Sequence, residues 1–316
     1  MYAREVWPWA LLGVASGLVE GGTVAVLVKK GYGGLVAPHW VNFAVALVSG
    51  APALANIFSF AWANLAHGRA RVGVLVGLQA SFAIAVGLVA LAPIGAGGLV
   101  LTIIAVLVAR ILWAGILTVR AAVWSANYPR HVMARVTSRI VMVNSLVVAG
   151  AALAVGRVLD QHAPAARWLY LLAALCGVLA ALRYRAVRVR REYRLLADEI
   201  GSAQVSGPVS LVILREILSS DAPFRRYMFW MSLYGSGNLM MTAQLVVLFS
   251  DRLRLAGLTQ VMLLTVVPML LMPLFLPMWA RLFDRGHIIE YRSRQCWALV
   301  AAIVLLSLGV ALRQQW

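Results

Sequence analysis

The chain is 316 residues long, 62% hydrophobic and only 12% charged, with a mean hydropathy of +0.86. Soluble domains are about half apolar and a quarter charged, so this composition excludes an ordinary globular domain. The formal net charge of +17 would suit nucleic acid, but the placement of the charges points to a membrane instead.

The apolar residues fall in runs of about 20, each long enough as a helix to cross a hydrocarbon core of about 30 Å. Lipid offers the backbone no hydrogen-bonding partner, which favours helices, and the alternating segments of a barrel are absent. Nine spans are expected, at roughly 6–27, 40–63, 72–92, 98–119, 140–159, 167–184, 227–249, 258–279 and 295–313. Of the 28 Lys and Arg, seven (Lys29, Lys30, Arg157, Arg167, Arg252, Arg254 and Arg313) fall in segments on one side, and Arg110 falls mid-span. The rest lie on the side of the N-terminus, which the positive-inside rule makes cytoplasmic. Contact of the basic loops with anionic lipid is a secondary expectation. Cys176 and Cys296 lie in apolar runs, which argues against a disulfide framework or a metal site.

The first span carries Glu20, flanked by Gly17, Gly21 and Gly22. It lacks a small-residue cleavage site and reads as a retained helix rather than a signal peptide. A carboxylate at that depth faces a bundle interior or a wet cavity, either on a substrate or proton path or in a structural charge pair. The glycines allow close helix approach. The second span holds Asn42 and Asn56, which suit interhelical hydrogen bonds, and Pro52, which suits a kink. The fourth carries Arg110, too deep to snorkel. Glu20 is the only acidic residue near the middle of any span, so Glu20–Arg110 is the most economical pairing. Arg120, ten residues on, is expected to reach the interface.

In the fifth span lies Asn144, and Arg157 and Asp160 after it are spaced to pair. Residues 185–226 leave the membrane as a basic linker with one or two interfacial helices. The seventh span carries Gly235-Ser236-Gly237-Asn238 and Gln244, which suit either a local break at a cavity or a close helix crossing. Pro268, Pro273 and Pro277 should bend the eighth.

Trp62-Ala63-Asn64-Leu65 and Trp279-Ala280-Arg281-Leu282 share a frame at a constant offset of 217 residues, each at the end of a second apolar run and ahead of a third. This internal repeat predicts two related halves. Ala280-Arg281-Leu282-Phe283-Asp284-Arg285, followed by Arg292, resembles the cytoplasmic loop motif of the major facilitator superfamily of secondary transporters. In the first copy Arg69 and Arg71 remain, but Ala66 or His67 stands where an acidic residue is expected. Arg110 followed by Ala114-Gly115 is similar to the family's helix-four motif, whose arginine is associated with proton coupling or substrate binding. The proline-containing antiporter motif of helix five is not matched. The resemblance implies an all-α membrane fold, with a six-helix bundle over 1–185, a linker over 186–226 and an incomplete three-helix bundle over 227–316. The family usually has twelve helices, so a truncated reading frame or partial sequence is the expected explanation.

The function this implies is alternating-access transport of a small solute, with proton coupling as an option. Glu20, Arg110, Asn144, Asn238 and Gln244 would line the path, and Arg69, Arg71, Asp284, Arg285 and Arg292 would form cytoplasmic gate loops. The alternative is a non-transporting scaffold, assembly or sensory protein, or an inactive fragment, on the same framework. Convergent acids, histidines or metal ligands are missing; the five histidines are scattered over both sides, which argues against a membrane enzyme. The expected setting is a bacterial inner membrane with a cytoplasmic N-terminus. The expected partners are the bilayer and an unidentified small substrate, with no cofactor, metal or nucleic acid.

Overall fold

The computed structural model describes residues 2–162, 165–190, 192–202, 211–285 and 288–313. Every regular element among them is helical. Among the described residues, seven helices are long and apolar enough to cross a membrane: Arg4–Tyr32, Pro38–Ile57, Arg71–Ala90, Ala96–Asn127, Arg135–His162, Ala166–Tyr184 and Gly257–Met278. They mark the chain as an integral membrane protein. Large apolar side chains such as Phe43, Ile84, Ile104, Leu175 and Leu179 point outward, as they should where lipid rather than water covers the surface. The expected seventh span coincides with a helix, Ala222–Val247, whose Arg225, Arg226 and Gly-Ser-Gly-Asn stretch dilute its apolar character. It is not among the seven. The ninth contributes a shorter apolar stretch, Ser293–Gly309.

The first span is two helices, not one. Helix α1 (Tyr2–Leu18) stops, Val19 and Glu20 leave the helical path, and α2 (Gly21–Tyr32) begins with Glu20 extended at φ −63°, ψ 137°. The local cause is Gly21-Gly22, since each glycine disfavours helix by about 1 kcal/mol relative to alanine. A break in an apolar setting frees carbonyls that must find new donors. The Leu18 carbonyl accepts the buried Tyr170 hydroxyl at 2.9 Å, while α2 resumes the ladder with Val24 N–H donating to the Glu20 carbonyl at 2.9 Å.

After α3 (Pro38–Ile57) and the short α4 (Ser59–Ala66), a turn leads to α5 (Arg71–Ala90), α6 (Ala96–Asn127), α7 (Arg130–His162) and α8 (Ala166–Tyr184). Pro52 is accommodated within α3 and the chain breaks later, at Phe58. Helix α5 packs on α6 and α8, α1 on α7 and α8, and α3 on α2 and α6. Small residues set the closest approaches, as the glycines around Glu20 suggested. A Cβ on Gly17 would lie 3.0 Å from the Val148 carbonyl oxygen of α7.

Helices α9 (Glu192–Ser202) and α10 (Leu211–Ser220) precede α11 (Ala222–Val247), which ends in a π-helical turn, Leu248–Arg252. Helix α12 (Gly257–Val261) runs through a second π-helical turn, Met262–Val266, into α13 (Val267–Arg285), and α14 (Ile288–Arg313) follows. Residues Met1–Leu270 form one compact unit and Leu271–Trp316 a second. Within the first, α11 packs on α3 and α2, and α12 packs on α7 and α2. A Cβ on Gly22 would lie 2.6 Å from Thr265 Oγ1, so the start of α2 fits flush against the second π-helical turn.

Asp160 does not pair with Arg157. Its two oxygens accept the Gly257 and Leu258 N–H groups at 2.7 and 2.8 Å, so the end of α7 caps the start of α12. Orphan amides at a helix start bind a carboxylate better than a solvated guanidinium does. Asp160→Ala should lower stability by about 1 kcal/mol, and Asp160→Asn by less, read from thermal unfolding of the detergent-solubilised protein.

Candidate functional site

The break in the first span turns the Glu20 side chain toward α6. Arg110 Nη1 lies 3.2 Å from Glu20 Oε2, and Arg110 Nη2 lies 3.4 Å from Glu20 Oε1, a two-pronged contact. The arginine side chain is 5% exposed and the glutamate 29%, so the cation is the more deeply buried partner. Arg110 Nε is buried and has no partner among the described residues. The guanidinium therefore keeps a donor in reserve after both terminal nitrogens are engaged.

The other residues expected on this path are dispersed. Asn144 is seated against α1: a Cβ on Gly13 would lie 2.9 Å from Asn144 Oδ1, and that oxygen is buried without a donor. Gly13 precedes Glu20 by seven residues, about 10 Å along a helix axis, so Asn144 lies well to the N-terminal side of the pair. Gln244 is exposed on α11. Nearer to Glu20 is a contact the sequence did not suggest, Thr23 Oγ1 donating to Thr265 Oγ1 at 3.3 Å. The side chain of Asn238 lies outside the described residues, as do those of Asp284, Arg285 and Arg292.

In the first loop, a carboxylate from elsewhere in the chain meets the turn. Glu199 of α9 pairs with Arg71, and its other oxygen accepts the Gly68 N–H at 3.0 Å. Gly68 has φ +65°, a conformation that favours glycine. Arg69 is exposed. Trp62, the first residue of the repeated frame, packs its indole against Gly115, where a Cβ would lie 2.9 Å from Trp62 Cδ2. The Arg110–Gly115 segment thus meets the Glu20 break with one residue and the repeat frame with another.

Two polar clusters went unread in the sequence. At the N-terminal end, Glu5 is fully buried and accepts a hydrogen bond from Trp124 Nε1 at 2.8 Å. Arg120 does not extend to the interface; its guanidinium carbon is 3.9 Å from the Trp9 ring centroid and 4.1 Å from that of Trp124. Burial, and then the Glu5 carboxylate beside it, push the Tyr128 phenol well above its usual range. The spacing did hold a signal, because Glu5 and Trp9, and Arg120 and Trp124, are each one helical turn apart. At the opposite end, Lys29 donates to Asn42 Oδ1 at 2.7 Å and to Asp251 Oδ2 at 2.8 Å, joining α2, α3 and the first π-helical turn. A cavity of about 150 Å³ also lies there, lined by Leu27, Tyr32, Thr102, Arg167 and Tyr170 among others.

No protein-family model matches this chain, and no curated protein or solved structure matches it. The functional reading rests on its own residues.

Arg110→Leu leaves the Glu20 carboxylate uncompensated and should cost about 3 kcal/mol. Adding Glu20→Gln to that variant should recover most of the loss, read as melting temperatures in a double-mutant cycle. At the N-terminal cluster, Arg120→Lys should cost about 1 kcal/mol, because an ammonium cannot cover two nearly perpendicular indoles as the flat guanidinium does. Tryptophan emission should then shift toward a more polar environment.

Proposed function

We propose that the chain is a secondary transporter that moves a small solute by alternating access, built on the helical framework of the major facilitator superfamily. The observation that carries this reading is the charge pair facing a break in a membrane helix. An ion pair buried purely for stability is a poor investment, since well-packed apolar residues of similar volume often do as well or better. A broken helix beside it sets the pair at an interruption of a span, as at substrate sites in transporters.

Arg110 would act as the anion-binding group and Glu20 as its competing internal partner. Protonation of Glu20 frees the guanidinium for an anionic group on the solute; return of the proton to solvent re-forms the pair. The unpartnered Arg110 Nε supplies a further donor for such a group. Polar ties between the first six spans and the α11–α12 region also suit this reading. Lys29–Asp251 and the Asp160 cap lie at the end opposite the N-terminus, where parting would break these polar contacts together with the packing of Gly156 on Leu258 and Val261. The basic N-terminal end would face the cytoplasm, in a bacterial inner membrane.

The test uses proteoliposomes with a pH-sensitive dye inside and a panel of small organic anions outside. The native chain should acidify or alkalinise the lumen with at least one anion. Glu20→Gln should reduce that proton flux by more than tenfold in protein that still unfolds cooperatively on heating. Equal flux from both proteins removes Glu20 as the switch. No flux with any anion from correctly folded native protein favours the alternative, a non-transporting scaffold or sensory protein.

A further inference from the structure

We propose that residues 183–190 form a built binding strip for anionic phospholipid headgroups, held rigid by the side chain of Asn127. This proposal is independent of the transport reading.

Helices α6 and α8 end on the same side of the bundle, at Asn127 and Tyr184. The Asn127 amide then behaves like a neighbouring strand toward the chain leaving α8. Its Nδ2 donates to the Arg188 carbonyl at 3.2 Å, and Arg190 N–H donates to its Oδ1 at 2.8 Å. Side chains on an extended segment alternate between two faces. Val187 and Val189 are buried, at 2% and 8% exposure, so Arg188 and Arg190 are directed away from the protein and are exposed. Arg183 and Arg185 are exposed as well, and none of these four arginines has an ion-pair partner among the described residues. Glu192 and Asp198, on the helix that follows, form no ion pair with the strip among the described residues. Glu199 is committed to Arg71 and Gly68, which also fixes the far end of α9.

The outward face of α8 shows where the strip lies. Leu179 and Leu182 are about half exposed and suit acyl chains, and Arg183 and Arg185 follow within one turn. The hydrocarbon boundary therefore falls at the end of α8, and the arginines stand at phosphate level. A mobile polybasic tail would attract an anionic surface through net charge alone. A strip pinned by two backbone hydrogen bonds and two buried valines presents its guanidinium groups at fixed spacing. Less ordering is lost on binding, and fork-shaped pairing with phosphate oxygens becomes favourable.

The experiment uses the full chain, purified in neutral detergent and exposed to mixed micelles of phosphatidylglycerol and phosphatidylcholine. Lipid retained per protein is read by native mass spectrometry. The native chain should retain phosphatidylglycerol in preference to phosphatidylcholine, and millimolar inorganic phosphate should not displace it. Arg188→Gln with Arg190→Gln should lower retention by about tenfold. Asn127→Ala, which leaves every charge in place, should lower it several-fold. Arg167→Gln, at the opposite end, should leave it unchanged. Undiminished retention by the double variant, displacement by free phosphate or by a short oligonucleotide, or full retention by a folded Asn127→Ala protein would each overturn the proposal. Both arginines of the double variant are exposed, so it keeps the test decisive if Asn127→Ala fails to fold.

Discussion

A helix that stops partway through an apolar bundle leaves carbonyls with no amide to accept from, and lipid supplies no substitute. That constraint governs the region around Val19 and Glu20. The Tyr170 hydroxyl of α8 meets it at the Leu18 carbonyl, and at the same level Arg110 of α6 reaches the Glu20 carboxylate, a separate side-chain acceptor. Helices α1, α2, α6 and α8 are thereby tied at a single level. The small residues around the break belong to the same solution, because Gly17 and Gly22 let α7 and the second π-helical turn come close enough to exclude solvent from the exposed backbone.

Away from that level, the polar bonds separate by end. At the N-terminal end they are internal to the first unit's core and linker: Glu5 with Trp124, Asn127 with the segment after α8, and Glu199 with the Gly68 turn. At the opposite end they join the early helices to the chain around α12, through Lys29–Asp251 and the Asp160 cap. The first set is shielded and includes a cation between two indoles. The second is more exposed, with the Asp251 side chain 48% accessible, and exposed ion pairs contribute little.

Much of this was legible in the sequence. Long apolar runs gave helices and a membrane, because lipid permits little else. Glu20 and Arg110 could be paired from the sequence because they are the only opposite charges deep in spans, where an uncompensated charge is too costly to leave alone. The glycines beside Glu20 marked close approach, and Asn42 marked an interhelical bond, although its partner proved to be a lysine. Spacing also placed Trp9 and Trp124 on the faces of Glu5 and Arg120 without saying that those faces meet.

What the tertiary structure alone decided is which distant groups become neighbours. Asp160 sits three residues from Arg157 yet binds amides 97 and 98 residues away, and the carboxylate that meets the first loop arrives from a residue 131 positions beyond Gly68. Helical periodicity fixes the face on which a side chain lies, and hydropathy fixes its depth. Neither specifies the helix it will face, since that follows from how close the small residues let each pair of backbones come. The sequence by itself determined a membrane-embedded helical protein with one central charge pair; three-dimensional packing turned that pair into a joint at a broken helix.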